Sequence, residues 1–289
     1  MNNAIKNIWA VICYPLIYMG VQLVISFIYI FALTFTVIIK ILISGENIRL
    51  DGIEELLLSH ADLKIPLAIS AAAAFVIIFL ILRKEWKSER FLGVSGIRIP
   101  PVLLCAALGI ALNILIMCVF SVISVPQAKD SPVEEMIGDN LIFEIITIAL
   151  MVPFLEEIIF RGIVLKRLTR ITRRHTAVFL QGVVFGLIHF NLDFINPNVD
   201  QVLYAFILGI IIGYIYIWFG SVWYAVSVHG AFNLTPIILI RIFGSDEINL
   251  LWFLAVSFVV FIVSAVSLSV LAERGKKDGH ITGVGFKNN

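Results

Sequence analysis

Apolar stretches of membrane-crossing length follow one another along almost the whole chain. They fall at about residues 16–39, 65–82, 102–125, 141–165, 176–194, 202–218, 223–240 and 250–271. Each approximates the roughly 20 apolar residues that cross a ~30 Å hydrocarbon core. Backbone groups in lipid must be satisfied within their own segment, and these runs are too continuous for the alternation of a β-barrel, so helices are expected. Only 14% of the 289 residues are charged and mean hydropathy is +1.02, which excludes a water-soluble globule of ordinary composition. The expected fold is an all-α polytopic membrane protein of about eight transmembrane helices. Residues 1–274 form one multi-helix transmembrane domain in this reading, and 275–289 form a short polar cytoplasmic tail. The first stretch begins near Ile8 and outruns a secretory signal, so it is expected to stay in the membrane. Pro15 is expected to separate an interfacial stub, 4–14, from the first true crossing.

Basic residues orient the helices, because Lys and Arg accumulate in cytoplasmic connections. With eight crossings and both termini inside, 15 of the 21 Lys and Arg fall on the cytoplasmic side and five outside, leaving Arg161 within the fourth span. Six or seven crossings would scramble that asymmetry. A net charge of +1 provides no basic field for nucleic acid, so no nucleic-acid partner is expected. Cys13, Cys105 and Cys118 lie in apolar stretches without paired spacing, which suggests packing or lipid-facing residues rather than disulfides or a thiolate metal site. The acidic segment 46–64, around Leu56 to Leu58, reads either as an interfacial amphipathic helix or as a solvated loop with one greasy side.

Ionisable groups at membrane depth cost on the order of 2.5–3.5 kcal/mol each, so the few present carry the functional information. The fourth span contains Glu156-Glu157-x-x-x-Arg161. Glu157 and Arg161, four apart, share a helix face and are expected to form an ion pair, whereas Glu156 points about 100° away and has no partner on its own helix. Burial and neighbouring cations pull a carboxyl's proton affinity in opposite directions, which is how a glutamate can be set to take up a proton. The fifth span contributes Phe185-x-x-x-His189 and the seventh His229-x-x-x-Asn233, with Gly182, Gly186 and Gly230 small enough for close helix approach. At 1.5 Å per residue, Glu156, His189 and His229 lie roughly 15, 20 and 10 Å in from the cytoplasmic side, compatible with one shared cavity. Glu144 reads as interfacial, Asp193 and Asp200 as capping or water-facing residues around Asn196-Pro197-Asn198, and Arg241 as snorkelling outward.

At these positions the chain resembles the CPBP family, the intramembrane endopeptidases related to type II CAAX prenyl proteases and often called Abi proteins in bacteria. Glu156, Glu157 and Arg161 stand for the first motif, Phe185 and His189 for the second, His229 and Asn233 for the third. The likeness covers about 141–240, with no departure at the motif positions; the first half is similar only in being hydrophobic. The resemblance implies a glutamic-type intramembrane peptidase of a bacterial cell membrane, needing no cofactor. In it Glu156 and His189 would activate a water, His229 and Asn233 would stabilise the oxyanion, and Glu157, Arg161 and Phe185 would support them. Its implied partners are the bilayer and a membrane-associated peptide or lipid-modified protein, such as an isoprenylated C-terminus or, in the bacterial branch, a bacteriocin or signalling-peptide precursor.

Three alternatives use the same residues. Glu with two His is also a zinc ligand set, although no HExxH motif is present and each ligand would come from a separate helix. A non-proteolytic immunity or scaffold protein would bind a peptide in the same cavity without turnover. A solute or proton-coupled transporter would also concentrate intramembrane charges, but the repeated halves common in transporters are not visible.

Overall fold

Lipid offers the backbone no external partners, and the described residues are helical almost throughout. The computed structural model describes residues 3–44, 61–84, 92–93, 97–123, 140–190, 198–243 and 250–277. Its helices are α1 (Asn3–Ser44), α2 (Lys64–Leu82), α3 (Ile99–Val122), α4 (residues 141–168), α5 (Arg174–Leu187), α6 (Val199–Phe219), α7 (Val222–Phe243) and α8 (Leu250–Lys277). An isolated bridge between Gly93 and Ser221 is the extended pairing among the described residues. Six helices, α1, α2, α3, α6, α7 and α8, are long and apolar enough to cross a membrane. The protein is an all-α polytopic membrane protein.

The two remaining helices carry much of the chemistry. α4 alternates α-helical turns with wider π-helical stretches at Ile145–Met151 and Ile158–Leu165. Every residue of Ile158–Leu165 is buried, so this part of α4 runs through the protein interior, and Glu144, Glu156, Glu157 and Arg161 are likewise enclosed by protein. α5 has 14 residues, about 21 Å at 1.5 Å per residue, and falls short of a ~30 Å core. The expected span to residue 194 is therefore corrected: the helix closes at Leu187, and His189 lies in the turn beyond it. The His189 backbone N–H turns back to the Gly186 carbonyl at 3.0 Å while its ring Nδ1 takes the Phe185 carbonyl at 2.7 Å, so the side chain caps the helix it was expected to continue. Asp193 and most of the expected turn at 196–198 lie outside the described residues, as does the acidic segment up to residue 60.

Three further expectations are corrected. Pro15 lies within an unbroken 42-residue helix, with Ala10 and Tyr18 buried on either side of it, and α1 packs on α2 and α4. Glu144 is fully buried rather than interfacial: it pairs with Lys64 at 3.6 Å and with Arg241, which therefore turns inward instead of snorkelling. Here the starts of α2 and α4 meet the end of α7, and one carboxylate between two cations lowers the burial cost of all three. Asp200 is partly buried in the first turn of α6, with Oδ1 enclosed. Cys105 and Cys118 are buried free thiols.

Close approaches at glycines shape the interior, and two of them bear on α4, α5 and their neighbours. α5 meets α6 with no side chain between Gly182 and Gly209; a Cβ on Gly209 would lie 3.1 Å from the Gly182 Cα. α7 meets α4 at Gly230, where a Cβ would lie 2.4 Å from the Ala149 carbonyl oxygen. One residue before Ala149, Pro153 leaves a second α4 carbonyl open to α7: lacking an N–H, it gives the Ile148 oxygen, five residues back in the π-helical stretch, no backbone donor.

Candidate active site

The structure brings the three motifs together. Glu157 Oε1 accepts from Arg161 Nη1 at 2.7 Å, the ion pair expected from their spacing, and also from His229 Nδ1 at 2.8 Å. Arg161 is completely buried; its Nη2 donates to the Gly209 carbonyl at 3.2 Å, and its guanidinium stands 4.8 Å from the centre of the Phe185 ring. The same ring packs edge-on against His189 at 4.8 Å and His229 at 5.7 Å between centroids. Phe185 thus aligns both imidazoles and, through its carbonyl, anchors one of them.

Both carboxylates reach one imidazole despite their different directions, because the ring of His229 spans the angle between them. Its Nδ1 meets Glu157, and its Nε2 lies 3.7 Å from Glu156 Oε2. That second separation exceeds a hydrogen bond and leaves space for a bridging oxygen. An Arg-paired carboxylate accepts only, so His229 Nδ1 carries a hydrogen; Nε2 donates only when the ring is protonated. A backbone carbonyl likewise fixes the hydrogen of His189 on Nδ1, leaving Nε2 as an acceptor in the neutral ring. The His189 carbonyl is held in turn by Asn198 Nδ2 at 2.6 Å.

Asn233 donates from Nδ2 to the Ile148 carbonyl at 3.1 Å. Ile148 lies in the π-helical stretch, where its expected donor five residues on is Pro153, so the amide of α7 satisfies an oxygen that α4 cannot. One Nδ2 hydrogen remains. Glu156, His189, His229 and Asn233 line a single cavity of about 290 Å³ together with Phe185. Leu67, Ile148, Val152 and Leu208 supply apolar wall.

The cavity also holds residues outside the motifs. Tyr18 and Gln22 enter from α1, and Gln201 and Tyr204 from α6. The Tyr18 hydroxyl donates to Glu156 Oε1 at 2.9 Å. A tyrosine in a long apolar helix gives no sequence signal for such a role, since tyrosine is ordinary in membrane segments. Among the described residues, no three His, Cys, Asp or Glu side chains converge closely enough to hold a metal ion.

Residues 138–235 match the family model of type II CAAX prenyl endopeptidase Rce1-like proteins. The match supports the CPBP/CAAX protease family. It covers about a third of the chain and contains all seven motif residues, from Glu156 to Asn233. It also supports CAAX-type membrane peptidase activity in general terms. Neither a curated protein nor a solved structure matches the chain.

Proposed function

We propose that the chain is an intramembrane endopeptidase that hydrolyses a peptide bond in a membrane-associated or lipid-modified substrate by means of a Glu156-activated water. The observation that carries this reading is the sharing of one cavity by Glu156, His189, His229 and Asn233, with Glu156 Oε2 3.7 Å from His229 Nε2. A water in that space is within reach of Glu156, and His189 Nε2 provides a second acceptor to orient it.

As the water attacks the scissile carbonyl carbon, its proton passes to Glu156 and the carbonyl oxygen becomes an oxyanion. The free Asn233 Nδ2 hydrogen and the Nε2–H of protonated His229 donate to that charge. Glu157 stabilises the imidazolium through Nδ1, as a buried carboxylate orients the histidine of a hydrolytic triad. With His229 protonated, Glu156 and Glu157 are balanced by Arg161 and His229, so the buried set carries no net charge. Glu156 then returns the proton to the leaving nitrogen as the carbon–nitrogen bond breaks, releasing an amine and a new carboxylate. Ser and Cys nucleophiles have no part in this route. We place the basic connections and both termini on the cytoplasmic side of a bacterial membrane.

The test compares membrane-derived peptides from cells carrying wild-type protein with those from cells carrying Glu156→Gln. A fragment present only with wild type supports the reading and identifies the substrate. Identical peptide sets, with cellular function preserved in the variant, favour a binding scaffold.

A further inference from the structure

α1 is among the most lipid-exposed helices of the molecule; only 6% of its most apolar 18-residue window is buried. Tyr18 is nevertheless 1% exposed, against 57% for Leu16 two residues earlier. A phenol enclosed this completely needs a partner for its hydroxyl, and that partner is Glu156 Oε1 at 2.9 Å. Gln22, four residues on and on the same face, lines the cavity beside the phenol. Tyr18 is the hydrogen-bond donor to Glu156 among the described residues; Arg161 Nη1 and His229 Nδ1 are engaged by Glu157, and His189 Nδ1 by the Phe185 carbonyl.

A glutamate side chain with three free torsions has several rotamers available in a cavity of this size. Fixing one oxygen fixes the other: with Oε1 on Tyr18, Oε2 faces His229 Nε2 across the gap in which the proposed water sits. α1 is placed to impose this because it packs on α2 and on the buried Ile158–Leu165 stretch of α4, which begins two residues beyond Glu156.

We propose that Tyr18 is a positioning residue, holding Glu156 Oε1 so that Oε2 is aimed at the attacking water, and that α1 is thereby a working part of the reaction centre although it lies outside the matched segment 138–235. This rests on the glutamate mechanism above. The role is one of orientation and charge stabilisation, with no covalent step at the phenol.

Tyr18→Phe removes a single oxygen and retains the ring that fills the site. Purified wild type, Tyr18→Phe and Glu156→Gln are compared on the peptide released in the membrane-peptide comparison, and by infrared spectroscopy of the carboxylate stretch that Glu156→Gln abolishes. The expected result for Tyr18→Phe is kcat lowered about tenfold, the loss of one hydrogen bond to a charged group, with KM within twofold and the Glu156 carboxylate band displaced. Wild-type kcat with an unmoved band overturns the proposal. A rise in KM alone also overturns it, assigning Tyr18 to substrate binding. If Glu156→Gln still cleaves the peptide while the band is displaced in Tyr18→Phe, the catalytic reading fails and the Tyr18–Glu156 coupling stands.

Discussion

Replacing Gly230 by alanine tests whether catalysis depends on the close approach of α7 to α4. The new Cβ would lie 2.4 Å from the Ala149 carbonyl oxygen, a backbone atom that cannot swing aside. Ordinary contact begins at 3.4 Å, so the helices must part by about 1 Å. His229 is the preceding residue and Asn233 is three residues on, so both travel with the displaced segment. Moved directly away, His229 Nε2 would stand about 4.7 Å from Glu156 Oε2 instead of 3.7 Å. A misplacement of about 1 Å costs on the order of 100-fold in rate, and overpacking of this kind costs about 1–3 kcal/mol of stability. The assay is cleavage of the Glu156-dependent peptide by purified protein, with thermal unfolding measured in the same detergent. Gly20→Ala serves as the control, since nothing lies within 4 Å of a Cβ there. Gly230→Ala protein that cleaves within threefold of wild type would refute the claim that this contact sets the catalytic geometry.

Arg161→Met leaves Glu157 as a buried anion without its guanidinium, and about 3–5 kcal/mol of stability should be lost. Adding Glu157→Gln should recover much of that loss in thermal unfolding but not the cleavage rate, because a neutral amide no longer stabilises protonated His229. The glutamate route also predicts that activity survives exhaustive chelation. One tightly held zinc per chain, with activity lost on chelation and restored by zinc, would replace it with metal-assisted hydrolysis.

Local rules carried much of the reading. Membrane helices are visible because length and apolarity are properties of a single segment, and Glu157 with Arg161 is visible because residues four apart on one helix must be neighbours. His189 departs from those same rules: the apolar residues around it favour continuation, whereas its own ring takes the Phe185 carbonyl and the helix closes at Leu187. Pro15 departs in the opposite direction: proline suggests a break, yet α1 runs through it with Ala10 and Tyr18 buried on either side. Glu144 and Arg241 each read as a charge at the membrane surface, but they lie 97 positions apart and packing makes them a pair in which the carboxylate is fully buried and the guanidinium half-buried.

The chain's amino acids, taken in order, specify a helical membrane protein and the three motifs from which its chemistry is built, because burial of apolar surface and backbone satisfaction in lipid act segment by segment. Packing assigns the partners: Glu156 to a phenol 138 positions away, His229 to two carboxylates at once, Asn233 to a carbonyl exposed by Pro153. Such pairings depend on distances between helices, set by glycine contacts and by the shift between α- and π-helical turns in α4, and spacing along one segment contains no measure of them.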